Sequence, residues 1–177
     1  MRLPGDATTK QTIAQMIRVN QAGEFGAKRI YAGQISVLKD PQDQEILKHM
    51  AQQEEVHLEF FNQEIVTRKI RPSILTPIWN LLGYTLGATT AALGRNSAMI
   101  CTDAVEEVIN QHYSEQIDNL QHTEEKDLLK NIKKFREEEL EHQQTAQNNI
   151  YSLSLRDKCL YHIIKFGCSL SIKLAKY

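Results

Sequence analysis

Arg136-Glu137-Glu138-Glu139-Leu140-Glu141-His142 contains a Glu-x-x-His on a segment of helical periodicity, and Gln53-Glu54-Glu55-Val56-His57 carries the same motif earlier in the chain. Residues three apart on a helix share a face, so each motif turns a carboxylate and an imidazole to the same side. One hairpin upstream of each stands a lone glutamate, Glu24 before the first and Glu106 before the second. Four carboxylates and two imidazoles spread over four helices are the donor set with which a helical bundle holds two iron or manganese ions in its core. The fold expected is therefore all-α, a four-helix bundle with Glu24, Glu54, His57, Glu106, Glu139 and His142 as metal ligands.

The duplication can be tested without reference to a metal. Ala22, Glu24, Tyr31, Gln34, Ile35 and Leu38 align with Ala104, Glu106, Tyr113, Gln116, Ile117 and Leu120 at one common offset. Such agreement implies two copies of one helix-turn-helix unit. It also decides between neighbours. Glu106 aligns with Glu24 whereas Glu107 aligns with Phe25, and Glu139 aligns with Glu54 whereas Glu138 aligns with Gln53. Taken alone, Glu137 to Glu141 reads as a solvated charged face. Its recurrence in two aligned copies reverses that reading.

Apolar spacing of three and four, as in Ile46, Leu47 and Met50 or Leu128, Leu129, Ile132 and Phe135, marks four core-facing helices. They run roughly over 12–38, 42–68, 97–120 and 124–151, so that two hairpins, 12–68 and 97–151, build one domain spanning 1–177. Lys39-Asp40-Pro41 separates the first pair, since proline ends one helix and suits the first turn of the next, and Gln121 to Thr123 serves the second. Counted from the turns, Glu24 and Glu54 both lie ~20 to 25 Å away at 1.5 Å per residue. Glu106 and Glu139 behave alike about His122, and all six ligands can meet in one layer.

A chain of 177 residues with a formal charge of −1 and a pI near 6.6 suits a single core and offers no basic stripe for nucleic acid. Cys101, Cys159 and Cys168 form no Cys-x-x-Cys pair and read as reduced thiols. Met1 to Lys10 lacks the apolar core of a secretory signal. The expectation is a cytoplasmic protein, or a mature organellar one already trimmed.

Two segments suggest a membrane. Pro72 to Gly94 contains no charged residue in 23 positions, but Pro77, Asn80, three glycines and four threonines interrupt it. A surface-embedded crossover, a buried crossover and a true span are the three readings, the last needing about 20 apolar residues. Near the C-terminus Leu160, Ile163, Ile164, Gly167, Leu170 and Leu174 share a face opposite Lys158, Lys165, Lys173 and Lys176. This amphipathic helix either lies on an anionic bilayer or packs on the bundle as a fifth helix.

Four glutamates neutralise two Fe(II) ions, while four carboxylates buried without a cation would repel one another and take up protons. The lone glutamates can bridge or chelate. Oxygen donors with two imidazoles suit iron or manganese better than softer sites do. Tyr31 and Tyr113 follow the lone glutamates by two turns, and packing is their default role. Tyr113 with His112 is the candidate catalytic pair, for proton or electron transfer.

Arg18-Val19-Asn20-Gln21-Ala22-Gly23-Glu24-Phe25-Gly26-Ala27-Lys28-Arg29-Ile30-Tyr31-Ala32-Gly33-Gln34 strongly resembles the demethoxyubiquinone hydroxylase family. The likeness continues through Arg71-Pro72, Trp79-Asn80, Ala104-Val105-Glu106-Glu107, His112-Tyr113 and Lys133 to His142, over nearly the whole chain. The resemblance implies a ferritin-like di-iron monooxygenase with two iron ions per chain. It would hydroxylate the ring of the demethoxyubiquinone or demethoxyubiquinol intermediate of ubiquinone biosynthesis with O2 and two reducing equivalents. It further implies a peripheral protein on the cytoplasmic face of a bacterial inner membrane, or the matrix face of the mitochondrial one. The substrate is then a polyprenyl quinone drawn from the membrane surface, and there is room for partner proteins of the same pathway and for a homo-oligomer. NADH is the implied electron donor, although the chain has no glycine-rich dinucleotide fingerprint.

Rival readings make separate demands. An iron store needs no apolar crossover, a rubrerythrin-like peroxidase usually appends a Cys-x-x-Cys site that is missing here, and a helical interaction module needs no metal. A membrane-associated di-iron quinol oxidase shares the ligand set, and only its products distinguish it.

Overall fold

Both hairpins of the repeat are present as helix pairs. The computed structural model, described over residues 8–176, has α1 (Thr9–Val37) with α2 (Pro41–Thr67), and α4 (Arg95–Leu120) with α5 (Lys126–Asn148). Each pair is followed by one more helix, α3 (Thr76–Ala92) after the first and α6 (Leu155–Leu174) after the second. These pack on the first helix of their own pair, α3 on α1 and α6 on α4. The duplicated unit is thus three helices long, one more than the periodicity indicates. Residues 1–7, most of the N-terminal stretch read as lacking a secretory core, lie outside the described residues.

Local chemistry sets the helix ends. Thr8 and Gln11 form a reciprocal capping box at the start of α1. Asp40 accepts from the N–H groups of Gln42 and Asp43, and Pro41 fills the first turn of α2, where no N–H is needed. The second turn is longer than expected, because Glu125 is held outside α5. Both of its carboxylate oxygens accept from the Arg68 guanidinium, at 2.9 and 2.7 Å, and its N–H meets Thr123 Oγ1. Helix α5 stops at Asn148 instead of Tyr151 for a similar reason. Arg95 donates to the Asn149 side chain at 2.6 Å and Asn96 accepts from the Tyr151 N–H at 2.9 Å, which draws the chain to the start of α4.

Pro77 falls in the first turn of α3, so it starts that helix and does not interrupt it. The glycines of the crossover serve contact. A Cβ on Gly87 would collide with the Ile30 carbonyl, and one on Gly33 with the Tyr84 carbonyl, so α3 and α1 touch backbone to backbone. Gly94 then reverses the chain into α4 at φ 113°, a conformation that side chains disfavour. The outer face of α3 leaves Ile78, Leu81 and Leu82 exposed. On α6, Ile164 is buried while Ile163, Phe166 and Leu170 point outward. Lys165, expected among solvated lysines, instead donates to Glu107 at 2.5 Å. The fifth-helix reading therefore holds for one side of α6, and the apolar face divides between core and surface. Among the described residues no helix is long and apolar enough to cross a membrane, which removes the spanning reading of the crossover.

Helices α2 and α5 each bury a single stripe. It runs Leu47, Met50, Glu54, His57, Phe61 and Ile65 on one, and Leu128, Ile132, Phe135, Glu139, His142 and Ala146 on the other. The carboxylates and imidazoles occupy the middle of a spacing that is otherwise apolar. Their burial follows from the same periodicity that buries the phenylalanines.

Candidate metal centre

Glu24 lies on α1, Glu54 and His57 on α2, Glu106 on α4, and Glu139 and His142 on α5; each is at most 2% exposed. Their donor atoms form two overlapping groups. One comprises Glu24, Glu54, His57 and Glu139, the other Glu54, Glu106, Glu139 and His142, and within each the atoms lie within 4.8 Å of one another. Glu54 and Glu139 belong to both groups, whereas Glu24 and Glu106 belong to one each.

The two imidazoles are held alike. His57 Nδ1 faces Glu139 at 3.1 Å and Glu24 at 3.5 Å, and His142 Nδ1 faces Glu139 at 3.0 Å and Glu54 at 3.4 Å. Their outer nitrogens meet the residues that the repeat makes equivalent. His57 Nε2 lies 2.8 Å from Glu138, and His142 Nε2 lies 2.9 Å from Gln53. Sequence comparison used Gln53 and Glu138 only to choose Glu139. Their shared alignment position marks the two as equivalent but does not indicate which side chain they meet.

Tyr31 and Tyr113 cross between the repeats. Tyr31 donates to Glu106 at 2.7 Å, and Tyr113 donates to Glu24. The pattern recurs further out. Gln116 donates to Asn20 as Gln34 approaches Thr102 across the repeats, while Gln21 donates to Asn62 and Gln147 to Asp103 at equivalent places within their own repeats. Burial, reinforced by the neighbouring carboxylates, raises both tyrosines well above their usual pKa, so they remain donors.

The cluster crowds carboxylates together away from water. Burial, then the nearby Glu139 charge, raises Glu54 and Glu106 well above the usual carboxylate range. Burial also opposes charging Glu139, but hydrogen bonds from His142 and His57 outweigh it and bring it down to about 2. For His57 the desolvation that disfavours its charge is overcome by Glu139 and Glu24, which push it up to about 12. Both oxygens of Glu54 and one each of Glu24 and Glu106 are buried and make no hydrogen bond. Buried polar atoms normally find partners. Four unsatisfied carboxylate oxygens facing two imidazole nitrogens fit a pair of divalent ions of the iron or manganese type.

A cavity of about 530 Å³ lies between α1, α3, α4 and α6. Its lining runs from the buried Glu24 and Tyr113 to Leu82 and Ile163, which are 52% and 63% exposed. His112 lines it too, with Nε2 placed 2.6 Å from the Gln116 side-chain amide, which also donates to Asn20. An amide N–H there leaves the ring proton on Nδ1. Burial lowers the His112 pKa, so the ring is neutral at neutral pH. On the Tyr31 side, Leu47, Met50 and Met99 pack with that tyrosine in a buried cluster.

The model of the family described as Ubiquinone biosynthesis protein COQ7 matches residues 11–175. The chain belongs to this family. It is 43% identical over 174 residues to the human NADPH-dependent 3-demethoxyubiquinone 3-hydroxylase, mitochondrial, covering 97% of this chain and 80% of the relative. Identity is 44% over 172 residues to the 3-demethoxyubiquinol 3-hydroxylase of Rhodospirillum rubrum, covering 97% and 81%. The 5-demethoxyubiquinone hydroxylase, mitochondrial, of Saccharomyces cerevisiae is 38% identical over 174 residues, with 89% and 75% covered. The human relative's name specifies NADPH where the resemblance implied NADH.

Proposed function

We propose that this chain hydroxylates the ring of demethoxyubiquinone or demethoxyubiquinol in ubiquinone biosynthesis, using O2 and two electrons that originate in a reduced nicotinamide. Glu24, Glu54, His57, Glu106, Glu139 and His142 would hold two iron ions, Glu54 and Glu139 being the carboxylates common to both donor groups. Bound iron supplies the redox chemistry that activates dioxygen, which no side chain performs unaided. The observation that carries the reading is the cavity, which joins an apolar surface to the one side of the cluster where Glu24 and Tyr113 stand. The quinone ring enters toward Tyr113 and His112, and the polyprenyl chain trails between α3 and α6.

Within that arrangement Tyr113 keeps its proton on Oη, directed at Glu24, and neutral His112 carries its proton on Nδ1 in the lining of the same cavity. Apolar walls exclude water from the ring. Ile78, Leu81, Leu82, Ile163 and Phe166 are exposed around α3 and α6 and suit insertion into a bilayer surface. That position fits a peripheral protein on the cytoplasmic face of a bacterial inner membrane or the matrix face of the mitochondrial one. The two hairpins act as a single domain about the shared cluster. The deciding experiment is anaerobic iron loading followed by O2 and the reduced demethoxy quinone, with mass spectrometry. A product heavier by one oxygen atom is expected; oxygen consumption with an unaltered ring would identify a quinol oxidase instead.

A further inference from the structure

We infer that Glu138 and Gln53 are positioning residues that make the two metal positions unequal, the position at His57 holding its ion more tightly than the one at His142. The inference rests on the two-metal reading above and concerns groups outside the six donors. The imidazoles share two features: each presents Nδ1 to Glu139 at 3.1 or 3.0 Å, and each has its outer nitrogen hydrogen-bonded at 2.8 or 2.9 Å. With Nδ1 given to an ion, Nε2 must carry the proton and donate outward. His57 then donates to a carboxylate, and His142 to the oxygen of a neutral amide.

A carboxylate behind a ligating histidine raises the basicity of the ring and fixes its orientation. An amide oxygen fixes the orientation without adding charge. Lys134 approaches Glu138 at 3.4 Å, but it is 57% exposed, so water screens most of its opposing effect. The carboxylate itself is 22% exposed and close to its imidazole. The His57 ring also packs closely against Phe135, tilted by 35° with centroids 4.2 Å apart, whereas His142 meets Tyr31 only edge-on at 6.2 Å. Both differences favour the same position.

The test is titration of chelator-stripped protein with Mn(II), following the free ion by electron paramagnetic resonance. Wild type should bind two ions in a tighter and a weaker step. Glu138→Gln should weaken the tighter step by about tenfold, the lower end of the usual effect of removing such a partner, and leave the weaker step in place. Gln53→Glu should strengthen the weaker step and narrow the gap from the other side. That second variant adds a charge and removes none, so it decides the matter even if Glu138→Gln folds poorly. Unchanged steps in Gln53→Glu, or in a folded Glu138→Gln, would overturn the inference while leaving the two-metal reading intact. Fewer than two ions bound by wild type would overturn that reading and this inference with it.

Discussion

Tyr31 and Tyr113 make the same bond on opposite sides of one cluster, yet only Tyr113 borders the cavity. Each Tyr→Phe change removes a buried donor to a carboxylate, so each should lower stability by about 1.5 to 3 kcal/mol. Only Tyr113→Phe should also slow hydroxylation, with iron content unchanged. Equal turnover in the two variants would reduce Tyr113 to packing. The glutamates differ in a comparable way. Glu139 belongs to both donor groups and Glu24 to one, so Glu139→Ala should lose both irons and Glu24→Ala about one, as read by metal analysis of the folded variants. Retention of two irons by Glu139→Ala would show that Glu138 takes its place.

Helix α3 has two faces with opposite demands. Toward α1 it needs glycine, because a side chain at Gly87 meets the Ile30 backbone. Gly87→Ala should therefore destabilise the protein by roughly 1 to 3 kcal/mol, the usual cost of overpacking, and a melting midpoint equal to that of wild type would show that the helices separate freely. Toward solvent the same helix exposes Leu81 by 65%, away from the cavity lining. If that face enters a bilayer, Leu81→Asp should weaken sedimentation with anionic liposomes about tenfold or more, since a buried leucine contributes ~1.5 to 3 kcal/mol. Iron content and melting should stay as they are. Undiminished sedimentation would place the membrane contact elsewhere.

Across the whole molecule, the cluster couples folding to protons when no ion is present. Glu54 and Glu106 are raised above their ordinary 4.5, and His57 above 6.5 to about 12, so the metal-free folded state binds more protons than the unfolded one. The stabilisation from these groups is complete below the unfolded values and is lost as pH rises through the folded ones. Glu139, lowered to about 2, acts in the opposite sense as pH falls below 4.5, and His112, lowered by burial, does so as pH falls below 6.5. Chelator-treated protein should thus melt at progressively lower temperature between about pH 7 and 9, and iron loading should flatten that slope; a metal-free midpoint that climbs with pH over that range would contradict the charge assignment. The convergence of the six candidate donors, the two hairpins and the place of Glu139 rather than Glu138 in the buried cluster were legible in the sequence by itself, because helical spacing, Pro41 and the internal repeat are local or self-referring signals. The sharing of Glu54 and Glu139, the crossed tyrosine bonds, the partners Gln53 and Glu138, the one-sided cavity and the divided faces of α3 and α6 were decided only in the tertiary structure. Each depends on which distant side chain fills a given space once the helices pack, and periodicity carries no information about that.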